Sequence, residues 1–61
     1  MEEELMDIDK VARYLGLAEE TIERFVHTNQ IPFIKTTEGL RFEKSVIDVW
    51  VQYLDHDYMT I

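Results

Sequence analysis

The feature that most constrains this chain is a break at Gly16 between two stretches of helical apolar spacing. Before the break, Val11 and Leu15 lie four residues apart. After it, Ile22 and Phe25 lie three apart, again on one face of a helix. Glycine adopts the left-handed backbone conformation that ends a helix without a clash from Cβ. The pattern therefore predicts two short helices joined by a tight turn.

Capping residues set the expected bounds of these helices. Asp7 can accept a hydrogen bond from the free N–H groups at a helix start, so the first helix is predicted at about 8–15. The second is predicted at about 19–28 and ends before Asn29, a residue that tolerates the left-handed conformation. Together they predict a helix-turn-helix. An ordinary αα-hairpin with no nucleic-acid role is the alternative, because fold alone does not imply function.

A β-hairpin is predicted after the second helix. Two short alternating runs, 33–36 and 40–43, flank residues 37–39, which place a glycine near the tip. Residues 5 and 6 would add a short extended piece near the start of the chain. The alternation predicts Ile34, Leu40 and Phe42 toward the core, with Lys35 and Arg41 facing out.

The last predicted helix, about 44–54, carries an apolar stripe that would cover the hairpin and the first two helices. Its members are Val46, Ile47, Trp50 and Leu54, with Trp50 as the main core residue. A second apolar set lies off this stripe and predicts a surface for a homodimer or another protein partner. That set consists of Val49, Tyr53, Tyr58, Met59 and Ile61.

The expected fold is therefore mainly α with a small β-hairpin, a winged helix-turn-helix of three helices plus a two-stranded wing. We expect an acidic flexible tail at 1–4, the domain at 5–54, and a C-terminal tail or linker at 55–61. A chain of 61 residues leaves no room for a deep catalytic cleft. No nucleophile stands with a base at a recognisable spacing, and no glycine-rich phosphate loop is present. We expect no enzyme activity.

Composition limits the cofactors and the location. The chain has no cysteine, and Asp55, His56 and Asp57 alone cannot enclose a metal ion, so we expect no cofactor and no metal. No apolar stretch approaches the roughly 18 residues of a membrane span, so we expect no membrane partner and a cytoplasmic location. The net charge of −7 is unusual for a nucleic-acid-binding protein. Much of it comes from the two acidic tails, which leaves the domain between them close to neutral.

Residues 5–51 resemble a known family. The resemblance is carried by MDIDKVARYLGLAEETIERFVHTNQIPF and by LRFEKSVIDVW, which are similar to the excisionase-like branch of the MerR-type winged-helix superfamily. It implies a small bacterial or phage protein that acts in transcription regulation or recombination. Such a protein inserts its second helix into the major groove of double-stranded DNA and places its wing against the neighbouring minor groove or backbone.

The resemblance also implies which residues contact DNA. They are Thr21, Arg24, His27, Lys35 and Arg41. The chain departs from the family at Glu19, Glu20 and Glu23, where polar or basic residues are common. These glutamates are either a solvated helix face or, because a carboxylate can accept from the amine of cytosine, base contacts. A protein-interaction module that keeps the winged-helix fold with an acidic, non-DNA-binding second helix is the alternative function.

Overall fold

The computed structural model describes the backbone of residues 4–59 and the side chains of residues 4–54. Its elements, in chain order, are β1 (Leu5–Met6), α1 (Ile8–Leu15), α2 (Glu19–His27), β2 (Ile34–Thr36), β3 (Gly39–Glu43) and α3 (Lys44–Met59). Predictions for the tail before residue 4, for side chains 55–59 and for residues 60 and 61 lie outside these residues. No helix in the described part of the chain is long and apolar enough to cross a membrane.

The junction between α1 and α2 forms as its capping residues predict. The Asp7 carboxylate accepts a hydrogen bond from the Lys10 backbone N–H at 2.9 Å, which starts α1. Gly16 ends the helix with φ of 72°, and the next N–H, that of Leu17, bonds back to the Ala12 carbonyl at 2.9 Å. A Cβ built on Gly16 meets nothing within 4 Å. Glycine is therefore required at this turn by backbone conformation and not by space.

The end of α2 redirects the chain into the sheet. Asn29 has φ of 57°, the one positive value among non-glycine residues in the described part, which confirms the expected left-handed stop. The Gln30 N–H then donates to the Phe25 carbonyl at 2.8 Å. This closed turn brings Ile31 into the core, where it is 3% exposed.

The sheet has three antiparallel strands in the order β1-β3-β2, which are the two strands of the predicted hairpin and a third strand at the start of the chain. Leu5 and Met6 pair with β3, and Met6 lies opposite Phe42. The Lys44 N–H also donates to the Glu4 carbonyl at 3.0 Å. The extended piece expected near the start of the chain is thus an edge strand, because β3 offers it a free row of backbone hydrogen-bonding groups.

The hairpin loop is one residue shorter than expected. Thr36 pairs with Gly39, so the loop is 37–38. Gly39 opens β3 with φ of 116°, and this is the position at which glycine is needed. The Thr36 hydroxyl donates to the Gly39 carbonyl at 2.8 Å and accepts from the Glu38 N–H at 3.1 Å, which fixes the turn.

The hairpin register differs from the predicted one, so the side chains that face the core also differ. Ile34 pairs with Arg41, and Lys35 pairs with Leu40; paired residues lie on the same face of a sheet. Ile34 therefore shares the face of Arg41 and not that of Phe42, so its predicted inward placement was wrong. It is 37% exposed. Phe33, one residue earlier, packs against the core instead.

A cluster of buried apolar side chains holds the elements together. It consists of Met6, Val11, Ala12, Ile22, Ile31, Phe42 and Ile47. These residues come from β1, α1, α2, the α2–β2 connection, β3 and α3. Phe42 is 0% exposed and is the largest of the fully buried side chains. The core is therefore centred on the middle strand.

α3 turns a different face to the core from the one predicted. Ile47 is fully buried, but Val46 and Leu54 are each 39% exposed, and Val51 packs against the core in their place. Trp50 is only partly buried, so its prediction as the main core residue was wrong. The reason is that α3 follows β3 with no loop, and the strand thus sets the rotation of the helix. The helix also runs to Met59, beyond its predicted end at 54.

Trp50 covers the edge of the core instead of filling its centre. Its ring packs edge-on against Phe25 of α2, with ring centroids 5.9 Å apart and an interplanar angle of 70°. This T-shaped arrangement is one that aromatic pairs favour. Trp50 thus joins α3 to α2 at the outer boundary of the core.

A polar contact joins α1 to α3 on the surface. The Tyr14 hydroxyl donates to Asp48 Oδ1, and Lys44 Nζ lies 3.3 Å from Asp48 Oδ2. The same ammonium lies 5.2 Å from the centroid of the Tyr14 ring, within the range of a cation–π interaction. The hydrogen bond from Tyr14, followed by the contacts of Lys44, lowers the pKa of Asp48.

The uncapped start of α2 predicts a stabilising substitution. Ala18 occupies the N-cap position in an extended conformation and makes no side-chain capping bond. Ala18→Ser places a hydroxyl where it can accept from a free N–H of the first turn, so we expect about 1 kcal/mol of added unfolding free energy. Urea unfolding measures it. Ala18→Val, which has no acceptor, is the control, and equal stability of the two variants would contradict the capping model.

The Tyr14 contact predicts a pH-dependent effect on stability. A lowered carboxyl pKa stabilises the folded state above the unfolded-state pKa, and this contribution is lost as pH falls through the folded-state value. Tyr14→Phe should therefore lower Tm at pH 7, and the deficit should shrink below the ordinary aspartate range near pH 3.8. Thermal unfolding from pH 7 to pH 3 tests this. Tyr53→Phe, at a side chain 68% exposed, is the control; a deficit equal at every pH would refute the link to Asp48.

Candidate nucleic-acid interface

The outward face of α2 carries two of the predicted DNA contacts. Ile22 is 0% exposed and fixes α2 against the core, which turns Glu20, Arg24 and His27 to the solvent. Thr21 lies on the flank of the helix and is half-buried. Arg24 and His27 therefore share one exposed face, and Thr21 stands beside it near the first turn.

The hairpin presents its two predicted contacts in different ways. Lys35 is exposed on β2 and shares a face with Leu40, whereas Arg41 shares the opposite face with Ile34. Both were predicted to face outward, and Lys35 is exposed while Arg41 lies on the face opposite Phe42. The two side chains nevertheless project from opposite sides of the sheet. One flat phosphate-binding surface cannot be made from both side chains in this hairpin conformation.

Arg41 is held by its own hairpin. Its Nη1 donates to the Leu40 carbonyl at 2.7 Å, and its Nη2 lies 3.6 Å from Glu38 Oε1. The Arg41 side chain is 25% exposed, against 80% for Glu38. The guanidinium thus stabilises the tip of the hairpin and is partly neutralised there. Sequence reasoning missed this contact, although the three-residue spacing of Glu38 and Arg41 was visible.

Most of the positive charge in the chain is paired within the domain. Four of its six lysine and arginine side chains form ion pairs: Lys10 with Glu4, Arg13 with Asp9, Arg41 with Glu38, and Lys44 with Asp48. Within the described side chains, Arg24 and Lys35 have no such partner. One of these free cations lies on α2 and the other on the hairpin. These are the two elements from which a helix-turn-helix with a wing contacts DNA.

The side of α2 that faces α1 is acidic. A hydrogen bond with Asp9, followed by burial and the negative charges of Asp9, Glu23 and Asp7, raises the pKa of Glu19. Repulsion of this kind means that the carboxylates crowd together at the two helix starts. This flank would repel a phosphate group. The part of α2 suited to DNA is therefore its outward face, around Arg24.

Metal binding has no support in the described residues. No group of three or more His, Asp or Glu side chains there could hold a metal ion. His27 lies at the end of α2, and its side chain makes no hydrogen bond or ion pair in that part of the chain.

Comparison with known proteins agrees with this geometry. A family model described as a helix-turn-helix domain matches residues 5–52, a span from β1 through most of α3. No curated protein and no solved structure matches the chain. Because the matched span covers most of the sequence and includes both helices, the turn and the hairpin, the chain belongs to the helix-turn-helix domain family, a family of DNA-binding modules.

Proposed function

We propose that this chain binds double-stranded DNA by placing α2 in the major groove and the β2–β3 hairpin against the adjacent backbone. In this proposal it acts as an excisionase-like or MerR-like module in transcription regulation or recombination, in a bacterial or phage setting and in the cytoplasm, without catalysis. The observation that carries the proposal is the placement of Arg24 and Lys35. They are the cations without an ion pair in the described side chains, and they lie on the two elements that would contact DNA.

The same observation indicates that a single copy binds weakly. Each phosphate neutralised by lysine or arginine adds about 0.9 to the slope of binding against salt. Two free cations give a slope of about 2, and Thr21 and His27 add polar side chains on the same helix as Arg24. Pairing of two copies on DNA would double the number of free cations that meet phosphate, and with it the salt slope.

Duplex binding at low salt tests the proposal. We expect fluorescence anisotropy to detect binding at about 20 mM salt, where screening is weak, and to show weaker binding as salt rises. Arg24→Gln should reduce the salt slope by about one unit, because it removes one phosphate or base contact. Lys35→Gln should do the same.

The matched control is Arg13→Gln. Arg13 is also an exposed helix arginine, but it is paired with Asp9 on α1. The Arg13→Gln substitution makes the same change in net charge as Arg24→Gln, and it should leave the salt dependence of binding nearly unchanged. Equal losses in the Arg24 and Arg13 variants would show a general charge effect and contradict the proposed interface. If the wild-type chain does not bind duplex DNA at about 20 mM salt, where screening is weak, the DNA-binding proposal is wrong.

A protein-interaction module is the second candidate function. It is favoured by apolar side chains left exposed on α3, with Val49 at 52% and Tyr53 at 68%. A small cleft of about 40 Å³ is lined by Val46 of the same helix and by Pro32, Phe33, Ile34 and Glu43. In this candidate, a second copy or another protein covers α3. The salt titration separates the two functions, since an interaction module would not bind duplex DNA.

A further inference from the structure

Helix geometry ranks the α2 side chains by how directly they face away from the domain. Ile22, at 0% exposed, marks the inward direction. At about 100° per residue, Glu20 and Arg24 each lie about 160° from Ile22, and they are about 40° from each other. They are the most outward positions of the helix and lie one turn apart. Glu23 lies only about 100° from Ile22, on the flank.

The three glutamates of α2 have different surroundings. Glu19 contacts Asp9 of α1, and Glu23 contributes to the negative potential at Glu19, so both belong to the acidic flank that faces α1. The Glu20 side chain makes no hydrogen bond or ion pair in the described part of the chain.

Glu20 also stands four residues before Arg24, the order that favours an ion pair on a helix. Two other pairs at this spacing do form, Arg13 with Asp9 and Lys44 with Asp48. None forms between Glu20 and Arg24 within the described residues. The carboxylate and the guanidinium at the centre of the outward face are therefore both available to a ligand.

In the major groove, the bases that can hydrogen-bond to a carboxylate differ from those that can hydrogen-bond to a guanidinium. A carboxylate only accepts hydrogen bonds. In the major groove cytosine offers the N4 amine as a donor, while thymine O4 and guanine O6 and N7 are acceptors that oppose a carboxylate. Adenine offers a donor beside an acceptor, a pattern better matched by an amide. Arginine pairs with guanine O6 and N7.

We propose that Glu20 selects a cytosine in the major groove of the duplex that α2 binds, beside a base contacted by Arg24. This inference rests on the proposed DNA-binding function and names the residue that gives it specificity. The carboxylate weakens binding to every phosphate backbone because like charges repel. It strengthens the distinction between sites, because a thymine or guanine at that position leaves two acceptors facing each other.

Selection from a random duplex library tests the inference. The full chain, its Glu20→Gln variant and its Glu23→Gln variant are each used to enrich bound DNA at about 20 mM salt, where screening is weak, and the bound pools are sequenced. Glu23→Gln is the matched control, because it makes the same chemical change one turn away on the flank. Circular dichroism verifies that all three proteins are folded.

We expect the wild-type pool to contain one position that is cytosine, where thymine weakens binding about tenfold or more. In the Glu20→Gln pool that position should change from cytosine to adenine, since glutamine pairs with adenine N6 and N7. Both variants should bind unselected duplex more tightly than wild type does. The Glu23→Gln pool should keep the wild-type motif.

The same motif in the wild-type and Glu20→Gln pools would overturn the inference and leave the DNA-binding proposal standing. A motif lost equally in both variants would also overturn it, since selectivity would then follow net charge and not the position of one carboxylate. Failure of the wild-type chain to bind any duplex would refute the DNA-binding proposal itself, and this inference with it.

Discussion

The structure depends on the burial of Phe42 in the middle strand of a three-stranded sheet. Its backbone pairs with β1 at Met6, and its side chain, 0% exposed, packs with Ile22 and Ile47 in the core. Full burial of such a ring is worth about 1.5–3 kcal/mol, a large share of the stability of a chain this short. Because β3 also forms the hairpin and leads directly into α3, the burial of Phe42 helps to fix the sheet, the hairpin and the last helix relative to the helix-turn-helix.

Local features were predictable from sequence wherever one residue has one physical role. Asp7 as a cap, Gly16 and Asn29 in the left-handed region, and the bounds of α1 follow from backbone chemistry alone. The third strand, β1, was harder to predict, because a strand of two residues is too short to show an alternating pattern. The faces of the hairpin and of α3 depend on strand register and helix rotation. These are set by the pairing of β3 with its neighbours and by its direct connection to α3, and not by the pattern within each segment. A shift of one residue moves Ile34 out and Phe33 in.

The candidate interface was proposed from a resemblance and not from local chemistry. The similarity to the excisionase-like family pointed to Arg24 and Lys35, and the structure leaves both without ion pairs in its described part. The resemblance could not show that Arg41 is bound to Glu38 and the Leu40 carbonyl, because that contact depends on the loop conformation. Nor could composition show that the three glutamates of α2 occupy two different environments. The net charge of −7 therefore describes the binding face poorly, since charge acts through position.

The strand order β1-β3-β2 places the longest strand in the middle and leaves two short edges. β1 has two residues and β2 has three, and Lys35 stands at the centre of β2. An exposed edge can pair with the edge of another molecule and begin β-aggregation, and short or lysine-bearing edges oppose this. A domain with so few backbone groups open to pairing can be concentrated, or can unfold partially at its margins, with little tendency to polymerise through its sheet.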